Sequence, residues 1–175
     1  MKIVFLGIGT NLGNREINLE KAVAGIKEFI GPILKSSAVY ETEPWGFQAK
    51  EDFLNMVVMA ETRLTPSGLL GRILRIESLS GRVRSRKRYS SRLIDIDVLL
   101  YEDLIVDEES LKIPHPLLHE RKFVLVPLCE IASELIHPVQ NKSYAELLEA
   151  CKDTGVVKKY SNPISFRPPP QWPST

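Results

Sequence analysis

The chain has 175 residues, of which 43% are hydrophobic and 26% are charged, and its formal net charge is +1 at pH 7. This balance is typical of one globular domain and excludes a disordered chain, and the near-neutral charge argues against a nucleic-acid partner. Two cysteines are too few for a disulfide framework, and no apolar run reaches bilayer length. We therefore expect a cytoplasmic protein with free thiols and no membrane partner.

The first half of the chain alternates between strand and helix periodicity. Asn14 is expected to cap the first helix. Pro66 suits the first turn of the second helix, where its missing N–H costs little, and Gly81 ends that helix. The predicted elements are a strand at 2–8, a turn at 9–14, a helix at 15–30, strands at 34–41 and 53–63, and a helix at 65–80.

The second half begins with a basic loop and ends in a proline-rich segment. The order β-α-β-β-α-β predicts an α+β sandwich with a ferredoxin-like core. We expect one domain at 1–162 and a proline-rich tail at 163–175. The predicted elements are the loop 82–92, a strand at 93–101, a short strand near 104–113, helices near 121–132 and 143–151, and an edge strand near 156–160.

The strand 93–101 carries two acidic residues on one face. Its period of two places Ile94, Ile96, Val98 and Leu100 on a core face and Asp95 and Asp97 on the other, with Cα atoms about 6.5 Å apart. Two adjacent carboxylates repel each other unless a cation neutralises them or they share a proton. Oxygen ligands of this kind favour magnesium over zinc. The alternative is a solvated strand face with two acids that bind nothing.

A basic loop precedes this strand directly. Six of the eleven residues from 82 to 92 are Lys or Arg. Such a run is usually a solvated loop or, in a basic protein, a nucleic-acid contact. Next to an acid pair, however, it matches the requirement of phosphoryl transfer, in which carboxylates hold magnesium and arginines bind phosphate oxygens. Together the two features favour a metal-nucleotide site.

Three further positions have both a structural and a functional interpretation. Glu77 falls within the apolar stripe of the second helix, so it needs either an internal arginine partner or a ligand. Phe53 and Asn55 share a strand face, which suits a flat heterocycle with hydrogen-bonding edges or an ordinary core. His115 is a turn residue, or a phosphate ligand if it faces the acid pair. The glycine-rich segment 7–13 lacks a P-loop pattern and is interpreted first as a structural turn.

Taken in register, these motifs resemble the 6-hydroxymethyl-7,8-dihydropterin pyrophosphokinase family of folate biosynthesis. The resemblance runs from Ile3 to about Glu149. It implies a three-layer α-β-α sandwich with a mostly antiparallel sheet and an ATP-dependent diphosphokinase. We expect this enzyme to be a monomer. Its motifs are GIGTNLG (7–13), YETEPWG (40–46), DFLN (52–55), RIE (75–77), GRVR (81–84), RLIDIDVLLY (92–101) and IPHPLLHERKFVLVPLCEIA (113–132).

The resemblance also implies a role for each motif residue. Asp95 and Asp97 would hold two magnesium ions between ATP and the pterin hydroxymethyl oxygen. Further ATP contacts would come from Arg82, Arg92, Glu77, Arg84, Val98, His115 and Arg121, of which Arg82 and Arg92 neutralise the polyphosphate. The pterin would contact Thr42, Pro44, Trp45, Phe53, Asn55 and Phe123. One departure from the family pattern lies at Ser90 and Ser91. Members of the family commonly have Gly or Ala there, often followed by Pro, before the arginine that corresponds to Arg92.

Two other functions use the same residues. A nucleic-acid-binding module could use the loop 82–92, but the near-neutral total charge counts against it. A two-metal nuclease could use Asp95 and Asp97, but it would need further acids, and Glu102 and Asp103 lie beyond the strand end. AMP formed from ATP only when the pterin is added would distinguish the pyrophosphokinase from both.

Overall fold

The computed structural model describes residues 1–47, 49–81, 91–162, 164 and 166. The predicted loop 82–92 lies outside the described residues except for its last two positions, and so does most of the predicted tail 163–175. Over the described ranges, no helix combines the length and the apolar character that a membrane span requires.

The helices and strands follow the predicted order, with three differences. The first strand continues through Gly9 to Thr10, where a turn was predicted. The region 34–41 forms two strands, and 104–113 forms a two-stranded hairpin. The elements are β1 (Lys2–Thr10), α1 (Arg15–Phe29), β2 (Ile33–Ser36), β3 (Tyr40–Thr42), β4 (Phe53–Thr62), α2 (Pro66–Leu79), β5 (Asp95–Tyr101), β6 (Val106–Asp107), β7 (Lys112–Ile113), a 3₁₀ turn (Leu118–Glu120), α3 (Lys122–Ala132), α4 (Tyr144–Glu149) and β8 (Val157–Lys159).

The predicted helix ends are confirmed by their hydrogen bonds. Asn14 Oδ1 accepts the Ile17 N–H at 3.0 Å at the start of α1. Thr65 Oγ1 accepts the Gly68 N–H at 3.2 Å at the start of α2. Each side chain satisfies an N–H that has no partner inside the helix. Gly81 follows α2 with a φ of 84°, a left-handed conformation that glycine adopts without steric cost.

The main sheet is antiparallel at every pairing among its described strands. Its strand order is β5-β1-β4-β3-β8, and β2 also pairs with β4. The predicted edge strand near 156–160 is confirmed as β8, which pairs with β3 through Thr42↔Val157. In the centre, β1 lies between β4 and β5. Residues far apart in the chain therefore meet side by side on β1, β4 and β5.

Two apolar clusters cover opposite faces of this sheet. The first contains Leu6 and Ile8 of β1 together with buried residues of α1 and α2. The second contains Phe5 of β1 together with buried residues of α3 and α4. Since neighbouring strand residues point to opposite faces, one strand contributes to both clusters.

The alternation predicted for 93–101 is wrong at one position. Ile94, Ile96 and Val98 belong to the first cluster as expected. Leu100 belongs instead to the second cluster, together with Leu99. The cause is a shift in the pairing of β1 with β5: Leu6 pairs with Val98, but Phe5 pairs with Leu100. The extra residue in β5 reverses the side-chain direction beyond it.

Candidate active site

A cavity of about 330 Å³ opens on the face of the sheet that carries α3. Its floor comes from β1, β4 and β5, and its walls come from the start of α3 and the loops around residues 43–47 and 115–117. It brings together ten of the candidate residues, namely Thr42, Trp45, Phe53, Asn55, Arg92, Asp95, Asp97, His115, Arg121 and Phe123. Motifs that are separated in the sequence thus share one cavity.

The acid pair lies opposite two glycines. In the pairing of β1 with β5, Gly9 is the partner of Asp95 and Gly7 is the partner of Asp97. Directly paired residues have Cβ atoms about 4.5–5.5 Å apart, so a large side chain at either glycine would take up space beside the carboxylates. The two glycines therefore leave room over Asp95 and Asp97 for a bound ion or a substrate.

The carboxyl group of Asp97 is the most perturbed acid in this cavity. Burial and the nearby charge of Asp95 together raise its pKa to about 7, against the opposing effect of Arg121 and Arg92. Arg92 also forms an ion pair with Asp95. A cation between the two carboxylates would remove their repulsion and favour the ionised form of Asp97.

The two carboxylates fit a magnesium site that the substrate completes. Within the described ranges, no group of three His, Cys, Asp or Glu side chains could hold a metal ion. Magnesium usually binds one or two protein carboxylates and takes its other ligands from water and substrate phosphates. Asp95 and Asp97, facing an open cavity, suit that kind of site.

Asn55 presents a buried amide to the same cavity. It is 7% exposed and Thr42 is 4% exposed, and Asn55 Nδ2 donates to Thr42 Oγ1 at 2.6 Å. A Cβ atom at Gly9 would lie 2.8 Å from Asn55 Oδ1, which is closer than such atoms approach. The absence of a Cβ atom at Gly9 therefore leaves room for the Asn55 amide on the cavity floor.

Aromatic rings surround this amide. The rings of Phe47 and Phe53 meet edge to face with their centroids 6.1 Å apart. The Arg121 guanidinium carbon lies 4.8 Å from the Trp45 ring centroid and 5.6 Å from that of Phe123. The Arg121 Nε atom is buried without a hydrogen-bond partner among the described residues. The cavity therefore combines flat apolar surfaces with a cation next to the acid pair.

His115 is neutral in this environment. Burial and the charge of Arg121 together lower its pKa to about 4. Its Nδ1 atom accepts the Leu117 N–H at 3.2 Å, so the neutral ring carries its proton on Nε2. His115 can therefore donate a hydrogen bond to an anion, but it does not contribute a positive charge.

A second cavity of about 250 Å³ adjoins the first at Asp97, His115 and Pro116. Val98, a candidate ATP contact, lies in its lining with apolar residues of α2 and β5. Residues 109–112, which the sequence did not single out, also line it. Asp97 therefore lies where the two cavities meet, and Asp95 lines the first cavity beside it.

Several candidate residues lie elsewhere. Of those described, Pro44 and Glu77 line neither cavity. Glu77 is 3% exposed, as its position in the helix stripe predicted. It accepts the Ile96 N–H at 3.0 Å, and so supports the strand between the two aspartates. Arg82 and Arg84 lie outside the described residues.

Sequence reasoning also missed some of the cavity lining. Gly9 was assigned to a turn. The alternation of β1 could have predicted that Gly9 lies on the same strand face as Gly7. Phe47 and Glu43 belong to the same loop as Trp45, and their side chains carried no separate signal. Leu99 continues the strand face of Asp95 and Asp97, so the alternation could have predicted it, whereas Leu117 reaches the cavity through the turn after β7, which only the folded chain shows.

Comparison with known proteins identifies the family. The sequence model of the family described as 7,8-dihydro-6-hydroxymethylpterin-pyrophosphokinase matches residues 5–133. A 2-amino-4-hydroxy-6-hydroxymethyldihydropteridine pyrophosphokinase from Aquifex aeolicus is 42% identical over 146 residues, covering 83% of this chain and 90% of that protein. The enzyme of the same name from Methylorubrum extorquens is 42% identical over 159 residues, covering 90% of this chain and 99% of that protein.

Solved structures support the same fold. The wild-type HPPK-DHPS structure from Plasmodium falciparum aligns with a TM-score of 0.70 at 19% identity, and it covers 85% of this chain. The present chain spans 44% of that longer protein. At this identity the likeness concerns the fold alone, whereas the family assignment rests on the sequence matches. This chain belongs to the 7,8-dihydro-6-hydroxymethylpterin-pyrophosphokinase family.

Proposed function

We propose that this chain transfers pyrophosphate from ATP to the hydroxymethyl group of 6-hydroxymethyl-7,8-dihydropterin, giving AMP and the pterin diphosphate in folate biosynthesis. The carrying observation is that Asp95 and Asp97, opposite Gly9 and Gly7, share one cavity with the buried amide of Asn55. The carboxylates that would bind the metal and the phosphates therefore lie in the same cavity as the amide that would hydrogen-bond to the heterocycle.

The pterin occupies the first cavity in this proposal. Phe53 and Phe123 supply the flat surfaces on which the ring stacks, and Trp45 closes the cavity. Asn55 and Thr42 read the hydrogen-bonding edge of the heterocycle. Their mutual hydrogen bond orients the Asn55 amide before the ligand arrives.

The nucleotide occupies the second cavity, with its phosphates at the acid pair. Val98 lines the space for the nucleoside, and His115 donates from Nε2 to a phosphate oxygen. Arg92 and Arg121 neutralise the polyphosphate. Arg82 and Arg84, which lie outside the described residues, are assigned to the same task by the family resemblance alone.

Asp95 and Asp97 are proposed to hold two magnesium ions, which would neutralise the negative charge of the phosphates and so favour attack on phosphorus. The pterin hydroxyl oxygen attacks the β-phosphorus and loses its proton to solvent. The bond between the β-phosphorus and the oxygen that bridges the α- and β-phosphates breaks, and AMP leaves with that oxygen. The chain's own contribution is to position both substrates and to stabilise negative charge on the phosphates. Arg92 forms an ion pair with Asp95 and also lines the cavity, so it can contact the carboxylate and the phosphates.

The strand order also supports a finer description of the fold. We infer a three-layer α-β-α sandwich with a ferredoxin-like core, because β1 and β4 are central and the two apolar clusters lie on opposite sheet faces. The magnesium-binding strand β5 is then anchored to the middle of the sheet by β1. A domain at 1–162 with a tail at 163–175 remains part of this proposal.

The direct test is incubation of the protein with magnesium, ATP and the dihydropterin alcohol, followed by separation of the nucleotides. AMP is expected to form only when the pterin is present, in equal amount to the pterin diphosphate. Chelation of magnesium and omission of the pterin are the matched controls. ADP or phosphate as the product, or AMP formed without pterin, contradicts the proposal.

Gly9→Ala is expected to weaken pterin binding about tenfold, because the added Cβ would displace the Asn55 amide. Gly7→Ala is the matched control on the same strand face. A Cβ there would lie 3.4 Å from Leu99 methyl carbons, an ordinary contact. Calorimetric titration with pterin measures both variants, and similar losses in the two would show that the Asn55 contact does not matter.

The affinity for magnesium is expected to fall as the pH is lowered from 8 to 6. Burial and Asp95 raise the pKa of Asp97 to about 7, and a carboxylate must lose its proton before it binds a cation. Asp97 is mostly ionised at pH 8 and mostly protonated at pH 6, so the dissociation constant should rise about tenfold. Calorimetry with magnesium alone measures it, and equal constants at both pH values would rule out Asp97 as the controlling group.

A further inference from the structure

The turn after β1 contains a side chain for which the proposed function has no role. Asn11 is 1% exposed, and it follows the last residue of β1 within the glycine-rich segment 7–13. Burying an amide is costly unless its donors and its acceptor are satisfied. The hydrogen-bond partners of Asn11 therefore indicate its purpose.

Asn11 holds the backbone of Arg92 through a reciprocal pair of hydrogen bonds. The Asn11 N–H donates to the Arg92 carbonyl at 3.1 Å, and the Arg92 N–H donates to Asn11 Oδ1 at 2.8 Å. The next residue is also held, since the Thr10 hydroxyl donates to the Leu93 carbonyl at 2.6 Å. The chain is thus held at two successive residues where the Arg92 side chain reaches Asp95.

The side-chain nitrogen of Asn11 connects this anchor to a second segment. Asn11 Nδ2 donates to Ser91 Oγ at 3.0 Å and to the Glu51 carbonyl at 3.3 Å. Glu51 belongs to the loop between β3 and β4, which also carries Trp45 of the cavity wall. One buried amide therefore joins the loop that lines the cavity to the segment that carries Arg92.

We propose that Asn11 is a positioning residue for Arg92 and sets where its guanidinium meets Asp95 and the phosphate oxygens. This inference rests on the proposed function, which assigns Arg92 to the polyphosphate. Without the Asn11 side chain, the Arg92 N–H loses its acceptor and the direct link to the loop at Glu51 is lost, while the bond from the residue-11 N–H to the Arg92 carbonyl remains. Group transfer is sensitive to such a change, because shifts of about 1 Å away from the productive geometry cost up to about a hundredfold in rate.

A double-mutant cycle tests this inference. Asn11→Ala is expected to lower turnover at saturating substrates about tenfold in the wild-type background. In an Arg92→Ala background the same change should alter turnover by less than about twofold, because Asn11 acts through Arg92. Tenfold losses in both backgrounds would show independent effects and would overturn the proposal.

Two further variants separate positioning from a loss of folding. Asn14→Ala lies in the same turn and removes the cap of α1, so it should lower the thermal midpoint and leave turnover within about twofold. Ser91→Ala removes one of the four hydrogen bonds and should lower turnover about threefold without unfolding the protein. Wild-type turnover for Ser91→Ala, or an Asn14→Ala loss equal to that of Asn11→Ala, counts against the proposal.

The cycle is also measured as the dissociation constant of a non-hydrolysable magnesium-ATP analogue. If the wild-type protein makes no pterin diphosphate, the proposed function fails, but nucleotide affinity still decides the role of Asn11. Coupled effects of Asn11→Ala and Arg92→Ala on that constant support the positioning role. Additive effects, with normal wild-type turnover, reject the positioning role and leave the proposed function standing.

Discussion

Asp95→Asn and Asp97→Asn are each expected to lower turnover at least about a thousandfold, equivalent to about 4 kcal/mol of transition-state stabilisation. Asparagine keeps the size of the side chain, so the apolar cluster behind β5 should remain packed. The loss arises because one carboxylate ligand is removed and the phosphate charge is no longer fully neutralised. Turnover is measured as AMP formation at saturating magnesium, ATP and pterin.

The matched control is Asp103→Asn, an exposed acid just beyond β5, which should keep near-wild-type turnover. Asp97→Asn has a second expected effect, on stability. Because the folded-state pKa of Asp97 is raised to about 7, its contribution to the free energy of unfolding is present at low pH and lost as the pH rises through 7. Without magnesium, Asp97→Asn should therefore be more stable than wild type at pH 8. Wild-type turnover in both aspartate variants would refute the magnesium assignment.

Phe123→Ala is expected to weaken pterin binding about fiftyfold and to leave ATP-analogue binding almost unchanged. The variant loses the burial and stacking of one aromatic ring, about 1–3 kcal/mol. The Arg121 guanidinium, which lies 5.6 Å from the Phe123 ring centroid, keeps its place over Trp45 at 4.8 Å. Calorimetric titrations with pterin and with the ATP analogue distinguish the two sites.

Phe53→Tyr is the control for this variant. It keeps the ring against Phe47 and adds only a hydroxyl, so pterin affinity should stay within about threefold of wild type. If Phe123→Ala impairs the nucleotide as much as the pterin, Phe123 supports the second apolar cluster and does not form a stacking surface.

Local signals in the sequence predicted the elements well where the cause is local. The Asn14 and Thr65 caps depend on N–H groups three residues away, and the helix periods depend on neighbours within two turns. The division of 34–41 into β2 and β3 could not be predicted in this way. It follows from how both strands pair with β4, with an irregular register at Ile33–Lys35.

The candidate site was predicted as a set of residues, but not as an arrangement. The alternation of β5 placed Asp95 and Asp97 on one face, that of β4 placed Asn55 beside Phe53, and family resemblance supplied Thr42 and Phe123 as pterin contacts. Their meeting in one cavity depends on the register of β1 with β4 and β5. Register is set by packing across the sheet, and the shift near Leu99 reversed the direction of Leu100, contrary to the strict alternation.

The sequence by itself determined the family, the order of helices and strands, and the acid pair on one face of a strand, because motif spacing and local periodicity encode these features. Only the tertiary structure decided that Gly7 and Gly9 face the aspartates, that Glu77 accepts the Ile96 N–H, and that Asn11 holds Arg92. Asn11 and Arg92 are 81 positions apart in the chain. A contact over that distance exists only once β1 and β5 lie side by side, and the raised pKa of Asp97 likewise requires the burial that this pairing creates.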